Sequence, residues 1–235
     1  MDELKLEAAT PTLSIYQKKG VFSYGTDAVL LAKYVLSSYK SMKGKSMCDL
    51  CSGTGIIPLY VCDSNKDVMS FGLEINHDAC TIAHMSAQVS GLSGRYTQVE
   101  GDLKKIKEYF RPEQFDFVTC NPPYMTADCG YMCDDDYKTI ARHEIHCNIN
   151  DVFKSSFYLL KTGGCLFVVY RADRLPSLFS AAANNRFQIK ELVSFVSCPP
   201  PTAVKLVVCK AVKDGAEGLK HYVINTNDYL SQELK

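Results

Sequence analysis

The segment best suited to chemistry is Asp116-Phe117-Val118-Thr119-Cys120-Asn121-Pro122-Pro123-Tyr124, where an apolar run ends in a polar, two-proline, aromatic turn. Pro122 and Pro123 fix the backbone and lack N–H groups, so the Pro122 carbonyl can point outward as an acceptor and the Asn121 amide oxygen supplies a second. Two acceptors aimed at one NH2 group suit alkylation of a planar amine. Drawing both protons into acceptors favours a more tetrahedral nitrogen whose lone pair faces an electrophilic methyl. No strong general base is needed, since the proton becomes acidic only after the nitrogen gains positive charge. Tyr124 offers a face on which a planar substrate can stack. Asn121, Pro122 and Tyr124 are the expected catalytic residues.

A second constellation points to a small ligand. Asp49-Leu50-Cys51-Ser52-Gly53-Thr54-Gly55 closes a predicted strand and opens a helix. Gly53 and Gly55 lack the Cβ atoms that would keep a ligand off that turn, and the helix N-terminus beyond offers N–H groups. The same glycines also serve a turn whose needs are purely steric. About twenty residues on, Phe71-Gly72-Leu73-Glu74 ends a strand in a carboxylate placed to accept from ribose hydroxyls, or simply to face solvent. Pro58 stands where the last glycine of Gly-x-Gly-x-x-Gly would be, which sets a nicotinamide dinucleotide behind other adenosyl cofactors. Val99-Glu100-Gly101-Asp102 ends a third strand, so Asp102 can accept from an adenine amino group or cap the helix that follows. Asp49, Thr26 and Asp27 are polar groups that can meet the amino-acid end of such a cofactor, with capping of the next helix the alternative for Thr26 and Asp27.

The elements that must hold these residues read as α/β. Short apolar, β-rich runs alternate with helix-like stretches, the pattern of a mostly parallel sheet covered on both faces. Strands are predicted near 46–51, 68–73, 96–100, 115–120, 164–170, 189–197 and 203–212, and helices over 26–40, 55–64, 77–91, 103–110, 148–161 and 173–184. Cys198-Pro199-Pro200-Pro201 separates the last two strands by a turn, so they should form an antiparallel hairpin. Residues 1–45 read as a lead-in and cap, 46–212 as the catalytic core and 213–235 as an extension with at most a peripheral strand and a short helix, all within one domain. Within the lead-in, Leu13–Gln17 and Val21–Tyr24 flank Lys18-Lys19-Gly20, which predicts a β-hairpin turning there.

In this order and spacing, Asp49–Gly55, Glu74, Asp102 and Asn121–Tyr124 resemble the class I methyltransferases that carry an Asn-Pro-Pro-Tyr motif, a group of adenine-N6, guanine-N2 and glutamine-N5 enzymes. The resemblance spans nearly the whole chain and implies a Rossmann-like seven-stranded sheet ending in an antiparallel hairpin, with S-adenosyl-L-methionine as cofactor. Gly25-Thr26-Asp27-Ala28-Val29-Leu30-Leu31-Ala32 and Ala141-Arg142-His143-Glu144 are similar to segments of the bacterial valine-tRNA adenine-N6 methyltransferases, which act on the base beside the anticodon. That likeness implies a tRNA substrate, a place for Thr26, Asp27, Asp49, Gly53, Gly55, Glu74, Asp102 and Asn121 around the cofactor, and Tyr124, Arg142 and His143 near the substrate. Arg142-His143-Glu144 also reads as a solvated helix start with local ion pairs.

Composition bounds these readings. The 235 residues carry 26 basic and 26 acidic side chains, for zero formal net charge, so no global basic field attracts nucleic acid and an RNA substrate needs a local patch. The candidates Lys18, Lys19, Lys104, Lys105, Lys107, Arg111, Arg171 and Arg174 are dispersed in sequence. Eleven cysteines, odd in number and set in apolar runs, read as reduced core thiols. Cys129, Cys133 and Cys147, with His143 and His146, match no CxxC pair, and no metal is expected. The absence of a signal-like or membrane-length apolar run predicts a cytoplasmic protein without a membrane partner. No obligate protein partner is evident. The competing functions are a release-factor glutamine methyltransferase, set back by the 48 residues before Asp49, which leave little room for a helical substrate domain, DNA adenine methylation, and a cofactor-binding regulator without catalysis. A base must leave its stack to reach Asn121, which favours a single-stranded loop.

Overall fold

A computed structural model of the chain describes residues 4–18, 24–122, 147–197 and 203–231. Its centre is an eight-stranded sheet with strands β3 (Ser46–Leu50), β4 (Met69–Glu74), β5 (Tyr96–Glu100), β6 (Phe115–Cys120), β7 (Leu160–Arg171), β8 (Phe187–Val196), β9 (Leu206–Lys213) and β10 (Lys220–Asn225). Their order is β10-β8-β9-β7-β6-β3-β4-β5. The run from β7 to β5 is parallel, while β9 is antiparallel to both β7 and β8. All seven predicted strands are present, and β8 and β9 form the expected antiparallel pair.

The count is corrected from seven to eight by β10, which the extension contributes. Left bare, the outer edge of β8 would expose a row of unpaired N–H and C=O groups. Lys220–Asn225 covers it in parallel register, from Lys220 opposite Glu191 to Asn225 opposite Val196.

In the lead-in, strand β2 (Ser14–Lys18) pairs with the upstream β1 (Leu4–Ala8), while the expected turn at Lys18-Lys19-Gly20 and its second strand fall largely outside the described residues. The reversal lies at residues 9–13, where Ala9 N–H donates to the Leu13 carbonyl and Leu13 N–H donates to Thr10 Oγ1. Residues 19–23 lie outside the described ones. On its other edge β2 is held by α3 (His77–Val89), whose Ser90 and Ser86 hydroxyls accept from the Ser14 and Tyr16 N–H groups at 3.1 and 2.9 Å.

The remaining α-helices among the described residues are α1 (Thr26–Ser37), α2 (Ile56–Ser64), α4 (Ile149–Leu159), α5 (Leu175–Asn184) and α6 (Thr226–Ser231). Leu103–Glu108, read as α-helical from sequence, is a 3-10 helix kinked at Lys105. Two apolar cores sandwich the sheet, and the alternation along each strand divides the side chains between them. Met47, Phe117 and Phe167 join α1 and α2 on one face. Cys48, Val118 and Val168 join Phe153 of α4 and Leu178 of α5 on the other. Among the described residues, no helix is long and apolar enough to cross a membrane.

Candidate active site

The chain runs from β3 outward to β4 and β5, then returns to β6 on the opposite side of β3. The carboxyl ends of β3 and β6 therefore flank the point where strand order reverses, the place where open α/β sheets hold ligands. Register brings the expected residues there: Asp49 lies opposite Thr119, Leu50 opposite Cys120, and Glu74 opposite Glu100.

Two successive turns after these strands are tied together by one carboxylate. Gly53 N–H donates to Glu74 Oε2 at 3.0 Å, and Asn76 N–H donates to Glu74 Oε1 at 3.0 Å, so one side chain braces the turns after β3 and β4. Gly53 and Gly55 both sit at positive φ, +53° and +80°. Their surroundings differ. A Cβ on Gly55 would come within 2.7 Å of Tyr96 Oη and 3.2 Å of Ala83 Cβ, whereas one on Gly53 would meet nothing within 4 Å. Gly55 is demanded by packing; Gly53 borders open space.

Asp49 is 1% exposed, and its Oδ1 accepts from Thr119 Oγ1 at 2.6 Å. Its Oδ2 is buried with no hydrogen-bond partner among the described residues. Burial pushes the Asp49 carboxyl up to about 8, the Thr119 hydrogen bond opposing that rise and the Glu74 charge adding to it. A buried acceptor left unmatched at a ligand crevice is a group waiting for a cation or donor.

Asn121 follows β6 directly, and its Nδ2 donates to Asp27 Oδ2 at 3.1 Å. Asp27 Oδ1 accepts from the Ala28 N–H at 2.9 Å, which holds the carboxylate on the first turn of α1. Neither Thr26 nor Asp27 caps that helix; the cap position is Gly25, and Thr26 is exposed beside it. Pro122 is buried behind Asn121. Asp102 caps the 3-10 helix, its Oδ1 accepting from Lys104 N–H at 2.9 Å. Tyr124, Arg142 and His143 lie outside the described residues, as do Pro123 and the Cys198–Pro201 turn.

The sequence reading assigned no role to Thr119, whose hydroxyl holds Asp49. Its link to Asp49 comes from the register of β3 against β6, which the sequence does not show. The pairing of Asn121 with Asp27 was equally unseen. Burial pushes the Cys120 thiol up to about 11, and the hydrogen-bonded neighbours Cys51 and Cys147 are raised with it, so all three are held as thiols. Among the described residues no group of three His, Cys, Asp or Glu side chains is placed to hold a metal ion. Cys129, Cys133, His143 and His146 lie outside them.

The family described as "Methyltransferase small domain" matches residues 12–191. A release factor glutamine methyltransferase of Clostridium acetobutylicum is 34% identical over 185 residues, 74% of this chain and 64% of the relative. A tRNA1(Val) (adenine(37)-N6)-methyltransferase of Porphyromonas gingivalis is 27% identical over 177 residues, 74% of this chain and 69% of the relative. The chain thus spans about two thirds of the length of these relatives. The fold is shared with a crystal structure of a predicted O-methyltransferase from Agrobacterium tumefaciens, at TM-score 0.67 and 18% identity over 85% of this chain and 86% of that one.

Proposed function

The chain belongs to the methyltransferase small domain family, a family dependent on S-adenosylmethionine, and on that premise we propose that it methylates the 6-amino group of adenine in a tRNA, beside the anticodon. The observation that carries methylation of an NH2 group is the Asn121–Asp27 hydrogen bond at the end of β6, and the choice of adenine in a tRNA is supported by the likeness to the tRNA1(Val) (adenine(37)-N6)-methyltransferases. A carboxylate only accepts, so it must take the amide's NH2 end, which fixes Asn121 Oδ1 as the acceptor that faces elsewhere. With the Pro122 carbonyl, that oxygen would receive the two protons of a substrate amino group and leave its nitrogen lone pair to the electrophile.

The residues present fit the cofactor. Asp49 Oδ2, buried and unmatched, would receive its ammonium group. Glu74, at the end of the second parallel strand, keeps lone pairs on both oxygens for ribose hydroxyls beyond the two N–H groups it already holds. Asp102 would divide its oxygens: Oδ1 holds the helix cap, and Oδ2 would accept from the adenine amino group. The open space over Gly53 leaves room for the ligand against the backbone. When bound, S-adenosylmethionine supplies an electrophilic methyl group on a sulfonium. Asn121 and Pro122 orient the acceptor nitrogen toward it; Tyr124, Arg142 and His143 are proposed to contact the substrate. Such an enzyme would work in the cytoplasm, on a base already out of its stack.

A second reading, methylation of a protein glutamine amide, is favoured by the 34% identical relative. A carboxamide NH2 and an aromatic NH2 make the same demands on Asn121. The test is transfer of labelled methyl from S-adenosylmethionine to bulk tRNA lacking the modification, with nucleoside analysis and Asn121→Ala as control. N6-methyladenosine formed by the wild type and not by the variant supports the first reading. Label found only in release-factor protein replaces it with the second.

A further inference from the structure

We propose that the cleft between the 3-10 helix Leu103–Glu108 and α4 is a track for the sugar–phosphate backbone of an RNA substrate, an inference that rests on the tRNA reading above. The cleft has a volume of about 410 Å³ and is lined by Lys104, Lys105 and Lys107 from one wall and Lys154 from the other. Four lysines, dispersed in sequence over fifty residues, are brought together by the fold. Glu108 and Asp151 are the acids on its lining, which leaves two positive charges in excess on a chain of zero net charge.

Only Lys104 is matched: its Nζ stands 3.9 Å from Asp151 Oδ2. Lys105, Lys107 and Lys154 have no carboxylate within ion-pair distance among the described residues, and Lys107 rests instead over the Tyr158 ring at 5.7 Å. Lysines in excess of the acids beside them repel one another, and a polyanion relieves that repulsion while shedding its own counterions.

Position connects the cleft to the site. The 3-10 helix leaves β5 at Asp102, so the lysine wall begins two residues from a proposed cofactor ligand. Ser155 of α4 donates from Oγ to the Leu103 carbonyl at 2.8 Å and locks the two walls together. From Asp151 to Tyr158 the helical wall rises about 10 Å, the axial rise of roughly three phosphates along one strand. The chemistry of the lining selects the occupant. None of the large apolar side chains exposed among the described residues lies here, so a protein partner would find little to bury, whereas a phosphate backbone needs only the charges.

The experiment is a salt titration of binding to bulk tRNA lacking the modification, between 50 and 200 mM salt. It compares the wild type with Lys105→Ala/Lys107→Ala/Lys154→Ala. Lys40→Ala/Lys43→Ala, exposed at the amino-terminal end of β3, is the control. The triple variant should show a log–log salt slope shallower by about 2 to 3 and affinity lower by ~10-fold or more at the lowest salt. Its cofactor affinity and melting temperature should match the wild type, and the control should bind RNA normally. If the wild type binds and methylates tRNA but the triple variant keeps its slope, the track is wrong and the tRNA reading stands. If the wild type neither binds nor methylates tRNA, both fall. Loss of release-factor methylation in the triple variant would assign the cleft to protein and overturn the proposal as well.

Discussion

Asn121 Nδ2 donates to Asp27 Oδ2 at 3.1 Å, joining residues 94 apart in sequence and binding the turn after β6 to the first turn of α1. The bond engages the NH2 end of the Asn121 amide and so orients its Oδ1 away from Asp27. An Asn at position 27 can present either its oxygen or its NH2, so it would permit both orientations of the Asn121 amide.

Asp27→Asn should therefore lower kcat by about tenfold while leaving cofactor affinity within about twofold. Asn121→Ala should lose about 10²- to 10³-fold in kcat, the range for removing one preorganised group from a reaction centre. Steady-state kinetics beside calorimetric cofactor binding check both. A weakened cofactor with unchanged kcat in Asp27→Asn would instead place Asp27 at the methionine end of the cofactor.

The raised carboxyl of Asp49 makes stability depend on pH in a stated direction. Its folded value near 8 exceeds the ordinary carboxylate value of 3.8, so between these limits the folded state binds the extra proton. Its contribution is fully present below about pH 4 and is lost as pH rises toward 8. Asp116 and Glu191 are shifted the other way and act at the acid end, because their lowered carboxyls contribute stability that is lost as pH falls below the ordinary range. His77, raised mainly by its hydrogen bond to Glu100, moves with Asp49, but both partners are exposed and the pair is worth little. The stability difference between the wild type and Asp49→Asn should therefore shift against the wild type from pH 5 to pH 8, as measured by denaturant melts of the ligand-free protein. A difference constant with pH would remove the buried, proton-holding role from Asp49. If Asp49 receives an ammonium group, cofactor affinity should rise over the same interval as the carboxylate becomes the stable form.

Glu74 braces two turns with two oxygens, and a glutamine there has one. Glu74→Gln should keep the fold, with a melting temperature within a few degrees of the wild type, and raise the KM for S-adenosylmethionine by about tenfold. That corresponds to roughly 1.4 kcal/mol, near the lower end of what a hydrogen bond to a charged group contributes. An unchanged KM would leave Glu74 a loop brace only.

The parts of this protein that were legible in its sequence are those written in apolar-rich runs. β3, β4 and β6 are mostly buried, so they read as short apolar-rich segments in which the polar residues Asp49, Glu74 and Thr119 fall near the crevice end. β10 was not legible as a sheet member because four of its six residues are exposed, and a polar edge strand differs little from a loop. The partner of β2 was hidden because Leu4–Ala8 is nearly all exposed and alternates weakly. Asp102 showed both of its possible roles in sequence, and the structure gives one oxygen to the cap. What sequence could not supply was side-chain pairing across the fold. Thr119 looks like an ordinary polar residue, and nothing ties Asp27 to Asn121, until the fold sets Thr119 of β6 beside Asp49 of β3 and Asn121 after β6 beside Asp27 of α1.

The two glycines of the first turn separate packing from ligand binding. Gly55→Ala must place a methyl 2.7 Å from Tyr96 Oη while holding φ at +80°, so strain and overpacking add. It should cost about 2 to 4 kcal/mol of stability. Gly53→Ala carries the strain of φ +53° but meets no atom within 4 Å, so about 1 kcal/mol is expected. Its new methyl occupies the space proposed for the cofactor, and cofactor affinity should fall by ~10-fold or more although the fold survives. Denaturant melts of both variants, with calorimetric titration of S-adenosylmethionine into Gly53→Ala, decide the matter. Full affinity in Gly53→Ala would move the ligand off this turn, while equal stability losses in the two variants would mean that Tyr96 gives way to the methyl at no cost.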